Sequence, residues 1–288
     1  MDAGDQGGRR GHQLIGATMH TKNVGPIADE ILAAIDGPSQ IATFTGRDPS
    51  FRIEHALATL AELRKKRAAR SERQVGRKIG FTNRGIWDEY KVYAPIWGNM
   101  YDTTVSELSA SPTIKAARFS EPRIEPEIVF KLSKDVKAGI DEAGLLDSIE
   151  WVTHGFEIVQ SVFPGWKFTG VDCFAAEGLH GALLLGPQRS IASLGSNAKK
   201  ALIDFNVALS CNGKVMDRGR GANVLDSPLS ALRHLVDVLD MDPFNPPLRA
   251  GEIITTGTLT RAFPVAAGET WSTAIEGIAL DGVALKFT

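Results

Sequence analysis

The octapeptide RIEPEIVF at residues 123 to 130 constrains the chain more than any other segment, because it sets two carboxylates into an apolar run at strand spacing. On a strand, side chains two apart share a face. Glu125 and Glu127 therefore point the same way, roughly 6.5 to 7 Å apart at the backbone, with Pro126 turned to the other face. Two like charges side by side raise a pKa or repel, whereas a hard divalent cation takes oxygen ligands and neutralises both. A solvated acidic edge strand, which Pro126 permits, is the simpler alternative. A third carboxylate, Glu157, lies in a second such run, HGFEIVQSVF, on the face of Gly155 and Val159. Three carboxylates leave coordination positions for water and a chelating ligand, which suits Mg²⁺ or Mn²⁺. His154 and His180 are read as pocket or core residues outside the ligand set.

The rest of the chain supplies the frame for these strands. Its 288 residues, 43% of them hydrophobic, suffice for one large domain or two unequal ones. Residues 1 to 22 carry glycine and charge without periodicity and read as a disordered tail, with Met19 a possible start. Residues 23 to 73 read as a helical part. Ile27, Ile31, Leu32 and Ile35 fall at helical spacing ahead of Gly37, which is expected to cap in a left-handed conformation. A second helix is expected to start at Asp48 and Pro49, with Phe51, Leu57, Leu60 and Leu63 on its apolar stripe. From residue 74 to 288 the period shifts toward two, broken by one helix that Ser227 and Pro228 introduce.

In VGRKIGFT, residues 75 to 82, an extended backbone puts Lys78 on one face between Gly76 and Gly80. Either this is an ordinary surface lysine, or the glycines leave room around an amine whose pKa a neighbouring cation and burial would lower toward that of a general base.

Charge and cysteine content narrow the partners. Thirty-two basic against 34 acidic residues favour neither nucleic acid nor an anionic membrane surface. No apolar run nears the roughly 20 residues that span a bilayer. Two cysteines outside any CxxC pair suit a reducing cytoplasm, so a cytoplasmic protein with a small-molecule partner is expected.

Taken in order, GRKIGFT, APIWGNMYD, RIEPEIVF, FEIVQSVF, GLHGALLLGP, NGKVMDRGRGANVLDSPLSALRHL and AGEIITTGTLTRAFPVAAGE resemble the 2-keto-4-pentenoate hydratase and 2-oxo-3-hexenedioate decarboxylase group of the fumarylacetoacetate hydrolase superfamily. The resemblance implies an α+β fold with a mixed β-roll core, helices at the N-terminus and a divalent metal, usually Mg²⁺ or Mn²⁺. It further implies that Glu125, Glu127 and Glu157 ligate the metal, that Lys78 is the acid/base group, and that Thr256, Gly257, Thr258, Leu259 and Thr260 lie by the substrate's carboxylate or keto group. A homo-oligomer is implied as well. The run CFAAEGLHG departs from the group's ADNAS-like pattern at Ala176 and Glu177.

The activity expected is addition of water to a 2-hydroxydienoate or 2-oxo-alkenoate, giving a 4-hydroxy-2-oxo acid, as in catabolism of aromatic ring-cleavage products. Decarboxylation of a hexenedioate, acylpyruvate-type C–C hydrolysis and a noncatalytic partner subunit are the alternatives. Arg84 and His180 are the candidate cationic and donor groups of the substrate pocket. Trp87, Phe174 and Glu177 are placed there too, and the Glu177 charge would repel a second carboxylate, so a monocarboxylate is expected.

Overall fold

The computed structural model describes residues 23 to 109 and 112 to 288, so the tail expected at residues 1 to 22 lies outside the described residues. Helix Gly25–Asp36 opens with proline in its first turn and buries Ala28, Ile31, Leu32 and Ala34. Gly37 ends it at φ −116°, not in the left-handed cap expected. The next helix also departs from expectation. Asp48 accepts hydrogen bonds from the backbone and hydroxyl of Ser50, closing a turn that competes with helix entry. A short helix, Phe44–Arg47, precedes that turn, and the long helix starts only at Ile53 and runs to Ala69. Helix Pro228–Asp240 begins as read from sequence, with the Ser227 hydroxyl accepting from the Leu229 N–H.

Two mixed sheets carry the remainder. The larger holds β1 (Gln74–Gly80), β2 (Ile96–Tyr101), β3 (Val105–Glu107), β5 (Arg123–Leu132), β6 (Ile149–Val159), β7 (His180–Leu185), β8 (Arg189–Ser190), β11 (Ile253–Thr258) and β12 (Phe263–Pro264). Its order is β2-β1-β11-β5-β6-β7-β3, with β12 beside β5 and β8 beside β6. The smaller sheet runs β10 (Lys214–Arg220), β9 (Asn206–Cys211), β13 (Thr270–Glu276), β14 (Ala284–Phe287) and β4 (Thr113–Ile114). Strand β2 touches β7 although three strands stand between β1 and β7, so the larger sheet curls on itself.

The helices cover one face of this curl, where Ile31, Leu60, Leu63, Leu232 and Leu235 pack against Ile128, Phe130 and Val152. The smaller sheet covers another face, through Phe156, Ile158, Leu209, Trp271 and Phe287. Each such fully buried side chain contributes about 1.5 to 3 kcal/mol, which leaves the framework able to carry unfavourable polar groups elsewhere. No helix among the described residues is long and apolar enough to cross a membrane. Cys173 and Cys211 are free.

Two local devices hold the sheets around the curl. His154 of β6 bonds the Glu127 backbone carbonyl through Nδ1 and the Thr273 hydroxyl of β13 through Nε2, each at 2.9 Å. A carbonyl only accepts, so Nδ1 carries the proton and Nε2 accepts from Thr273. Burial pushes this imidazole down from 6.5 to about 4, consistent with a neutral link between the sheets. The second device is an irregularity in β11, whose pairing with β5 shifts register between Thr255 and Thr258. Gly257 stands in that shift at φ +100°, where a Cβ would lie 1.8 Å from the Thr82 hydroxyl.

Both devices are testable. Gly257→Ala adds left-handed strain and overpacking, each about 1 to 3 kcal/mol, and is expected to cost at least about 2 kcal/mol in denaturant unfolding. A change under about 0.5 kcal/mol would rule out the role given to this bulge. For His154, the unfolded chain binds a proton near pH 6.5 and the fold resists it until about pH 4, so stability present above pH 6.5 is lost as pH falls through that window. The shift corresponds to about 3 kcal/mol, and His154→Gln should flatten the slope of unfolding free energy between pH 6.5 and 4 relative to the unsubstituted protein.

Candidate active site

The curl turns the acidic face of β5 inward. Glu125 pairs in register with Glu157 of β6, and one oxygen from each of Glu125, Glu127 and Glu157 lies within 4.8 Å of the others. Glu127 and Glu157 are fully buried and Glu125 is 8% exposed, which excludes the solvated acidic edge. The Gly257 N–H, turned inward by the bulge, donates to Glu127 Oε2 at 2.8 Å. His180 holds Glu157 Oε1 at 2.8 Å through Nδ1, and its Nε2 meets the Thr104 hydroxyl at 2.9 Å. Of the remaining oxygens, Glu157 Oε2 accepts no hydrogen bond but has the Lys78 ammonium 3.3 Å away, while Glu127 Oε1 is buried without a hydrogen-bond partner. Such an orphan is rare in a folded interior and calls for an explanation.

Lys78 arrives from β1, three strands away from β6 in the sheet order, and reaches the acids across the interior of the curl. Its Nζ lies 3.3 Å from Glu157 Oε2 and donates to the Gly178 carbonyl at 3.0 Å. The space foreseen around the amine is occupied, since Lys78 is 2% exposed. Gly80 and Gly178 make room for it, because a Cβ on either would approach the lysine side chain to 3.0 and 2.9 Å. Gly76 instead abuts the Ile253 backbone.

Electrostatics follow from this packing. Burial pushes Glu125 up to about 7, with Lys78 opposing it only in part. Burial and then repulsion from Glu157 and Glu125 push Glu127 well above the ordinary carboxylate range. Burial disfavours the Glu157 charge too, but Lys78 and His180 outweigh it and hold that carboxyl below its usual value. Burial likewise disfavours the Lys78 ammonium, yet the attraction of Glu157, Glu125 and Glu127 wins and raises its pKa. The lowered amine pKa expected from sequence is thus reversed: the counter-charges next to Lys78 are anions. With all three acids ionised and Lys78 protonated, the centre would keep two negative charges, the complement of a hard dication with oxygen ligands. The donor set and the unpartnered Glu127 Oε1 fit such an ion.

A cavity opens from this centre between Lys78, Gly80, Phe81, Ile86, Tyr90, Glu125, Val159, Trp166, Gly178, Leu179 and Ala262. Phe81, Trp166, Gly178 and Leu179 hold positive φ between 56° and 62°. For the three non-glycine residues that backbone costs about 1 to 3 kcal/mol apiece, a strain that clusters at functional sites.

Several pocket residues expected from sequence lie elsewhere. Arg84 pairs with Asp226 at 2.9 Å in solvent and does not line the cavity. His180 sits behind Glu157, not beside the open space. Thr256, Thr258 and Thr260 spend their hydroxyls on the backbone carbonyls of Ile128, Thr260 and Arg261, while Leu259 is core, so the segment meets the centre through Gly257 alone. Trp87 donates its indole N–H to the Phe81 carbonyl, and Phe174 packs edge-on to Trp97. The Glu177 carboxylate turns away to Tyr101 at 2.7 Å, Asn99 at 3.3 Å and Arg67 at 3.4 Å, which removes the repulsion expected in the pocket. Tyr90 belongs to the segment GFTNRGIWDEY, residues 80 to 90, expected near the pocket, though it was not singled out there; the wall that sequence reading missed is Trp166.

The family model described as fumarylacetoacetate (FAA) hydrolase C-terminal matches residues 94–281. A 2-hydroxyhexa-2,4-dienoate hydratase from Comamonas testosteroni is 32% identical over 246 residues, 85% of this chain and 90% of that protein. A 2-keto-4-pentenoate hydratase from Paraburkholderia xenovorans is 28% identical over 252 residues, 87% of this chain and 90% of that protein. The solved 4-oxalocrotonate decarboxylase from Pseudomonas putida G7, in complex with magnesium and adipate, superposes with a TM-score of 0.84 at 25% identity, covering 92% of this chain and 97% of that one.

The cost of crowding the acids is measurable on chelator-treated protein. A carboxyl whose pKa is raised by folding costs stability at pH values above its unfolded pKa. Glu127→Gln keeps the acceptor for the Gly257 N–H and removes that cost. At pH 8 the variant is expected to melt about 2 to 4 °C higher or more, and a lower melting temperature would contradict the electrostatic account.

Proposed function

Because the chain belongs to the fumarylacetoacetate hydrolase family, we propose that it is a hydro-lyase that adds water to a 2-hydroxydienoate or 2-oxo-alkenoate. The observation that carries the reading is the convergence of three buried carboxylates, Glu125, Glu127 and Glu157, with Lys78 at 3.3 Å from Glu157 and Glu127 Oε1 left without a hydrogen-bond partner. Glu125, Glu127 and Glu157 would hold a divalent cation, Mg²⁺ or Mn²⁺. When bound, that cation supplies positive charge to the carboxylate and C2 oxygen of the substrate, where negative charge develops.

The protein's own groups do the rest. The acids keep Lys78 protonated, so it enters as a proton donor. Its ammonium gives a proton to C5 of the conjugated chain and the resulting amine takes up the 2-hydroxyl proton; water then adds at C4, losing a proton that Lys78 relays to C3, which yields the 4-hydroxy-2-oxo acid. His180 and Thr104 fix the Glu157 carboxylate, and the Gly257 N–H fixes that of Glu127. Phe81, Ile86, Tyr90 and Trp166 wall the conjugated chain from bulk water. A homo-oligomer accompanies this reading, since the edge strand β10 exposes Val215 and Met216.

Decarboxylation of a dicarboxylic 2-oxo acid is the second reading, supported by the decarboxylase whose structure this chain shares. The assay gives the purified protein 2-hydroxypenta-2,4-dienoate and 2-oxo-3-hexenedioate in parallel, with and without Mg²⁺ or Mn²⁺. Metal-dependent loss of the dienoate absorbance with formation of the 4-hydroxy-2-oxo acid is expected, and faster CO₂ release from the diacid would replace hydration with decarboxylation. Lys78→Ala is expected to lower kcat by at least about 10²-fold while the metal still raises the melting temperature. Near-normal turnover in that variant would remove Lys78 from the chemistry.

A further inference from the structure

Three successive residues, Glu177, Gly178 and Leu179, hold left-handed backbone, with φ of +55°, +61° and +62°. Outside glycine such a backbone persists only where surrounding contacts over-determine it. Leu179 is fixed by the core, whereas Glu177 brings a carboxylate into an interior where it is 2% exposed. Burying a carboxylate is costly unless donors meet it. The Tyr101 hydroxyl donates to its Oε1 at 2.7 Å, the Asn99 amide donates to the same oxygen at 3.3 Å, and the Arg67 guanidinium faces Oε2 at 3.4 Å. Burial, and after it the Glu177 charge, push the Tyr101 phenol well above its ordinary range, so it keeps the proton it donates. Arg67 lies 4.5 Å from the centre of the Tyr101 ring and pairs with Glu72 at 2.7 Å, so the donors are themselves held.

The strand beneath shows what this grip accomplishes. Asn99 and Tyr101 share one face of β2, and Gly98 faces the other way, directly across from Lys78 of β1. A Cβ on Gly98 would lie 2.0 Å from the Glu177 carbonyl oxygen, so the absence of a side chain there lets the backbone of Glu177 rest on the strand. Because β2 is the end strand of the larger sheet, Glu177 hooks round its edge: backbone on the Lys78 side, carboxylate gripped on the far side. Seated in this way, the run presents the Gly178 carbonyl to Lys78 Nζ at 3.0 Å. An ammonium carries three N–H donors. The Gly178 carbonyl takes one, and Glu157 Oε2 attracts the group from 3.3 Å, which fixes where the remaining hydrogens point in the cavity that Lys78 and Gly178 both line.

We propose that Glu177 is a positioning residue: hooked round the edge of β2 by Tyr101, Asn99 and Arg67, it holds the left-handed run in place and, through the Gly178 carbonyl, aims the Lys78 ammonium at the substrate. The proposal rests on the reading of Lys78 as the proton-transfer group. It gives a task to a buried carboxylate that touches neither the three acids nor the cavity.

The test compares Glu177→Ala, Glu177→Gln and Tyr101→Phe with the unsubstituted full chain by crystal structure, by melting temperature with and without Mg²⁺, and by turnover of 2-hydroxypenta-2,4-dienoate. In Glu177→Ala the Gly178 carbonyl is expected to turn from Lys78 and the Nζ to move by about 1 Å, enough to lower kcat at least about tenfold. KM should stay within about twofold, the signature of an interaction that serves the transition state. The rise in melting temperature on adding Mg²⁺ should be unchanged. Glu177→Gln keeps an acceptor for Tyr101 and Asn99 and should restore kcat to within about threefold of the unsubstituted value. Tyr101→Phe loosens the hook from its far end and should lower kcat about threefold alone and no further in the Glu177→Ala background, since the two residues act as one unit. An unmoved Lys78, unchanged kcat, a loss confined to KM, multiplicative losses in the double variant, or a Gln variant no better than Ala would each overturn the proposal. If Glu177→Ala does not fold, Tyr101→Phe decides: a Gly178 carbonyl and kcat both unaltered there would overturn it. The crystal comparison needs no turnover. A displaced Lys78 in a protein whose unsubstituted form leaves the dienoate untouched would overturn the hydratase reading and keep the hook, whereas turnover with Lys78 undisturbed in Glu177→Ala would do the reverse.

Discussion

Three carboxylates crowded into a dry interior are the constraint around which the rest of the molecule is arranged. Left to themselves they repel and resist ionisation, as the upward shifts of Glu125 and Glu127 record. Every neighbouring feature answers one of these charges: the lysine from β1, the histidine behind Glu157, the inward-turned amide of Gly257. None of them is local in sequence to the acid it serves. The curl of the larger sheet brings them together, and apolar packing on its outer faces supplies the stability that the crowded acids consume.

How much of this was legible in the sequence depended on whether the signal was periodic. Glu125, Glu127 and Glu157 announce themselves because an acid in an alternating apolar run has few alternatives, and the register of β5 against β6 then makes two of them partners. Lys78 was visible as a glycine-flanked residue, but the sign of its pKa shift was not, because that sign depends on strands three places away. The helix expected at Asp48 failed for a local reason: a short side chain that bonds its own backbone competes with helix entry.

The pocket walls were the least legible part. Tyr90 and Trp166 end single turns of helix too short to carry a period, and Glu177 was misplaced because its neighbour Gly178 lies beside Lys78 while its own carboxylate turns to Arg67.

The left-handed backbone at Phe81, Trp166 and Leu179 bears on how such a protein can change over time. At these positions glycine or asparagine would relieve strain but forfeit burial of comparable size, since Leu179 lies in the core and Phe81 and Trp166 pack against it, so stability alone is close to indifferent between large side chains and small ones. Drift that stability does not oppose would therefore widen the cavity and erode discrimination between ligands before it touched the acids or the lysine. Only continued selection for a particular ligand would keep those three bulky residues in place.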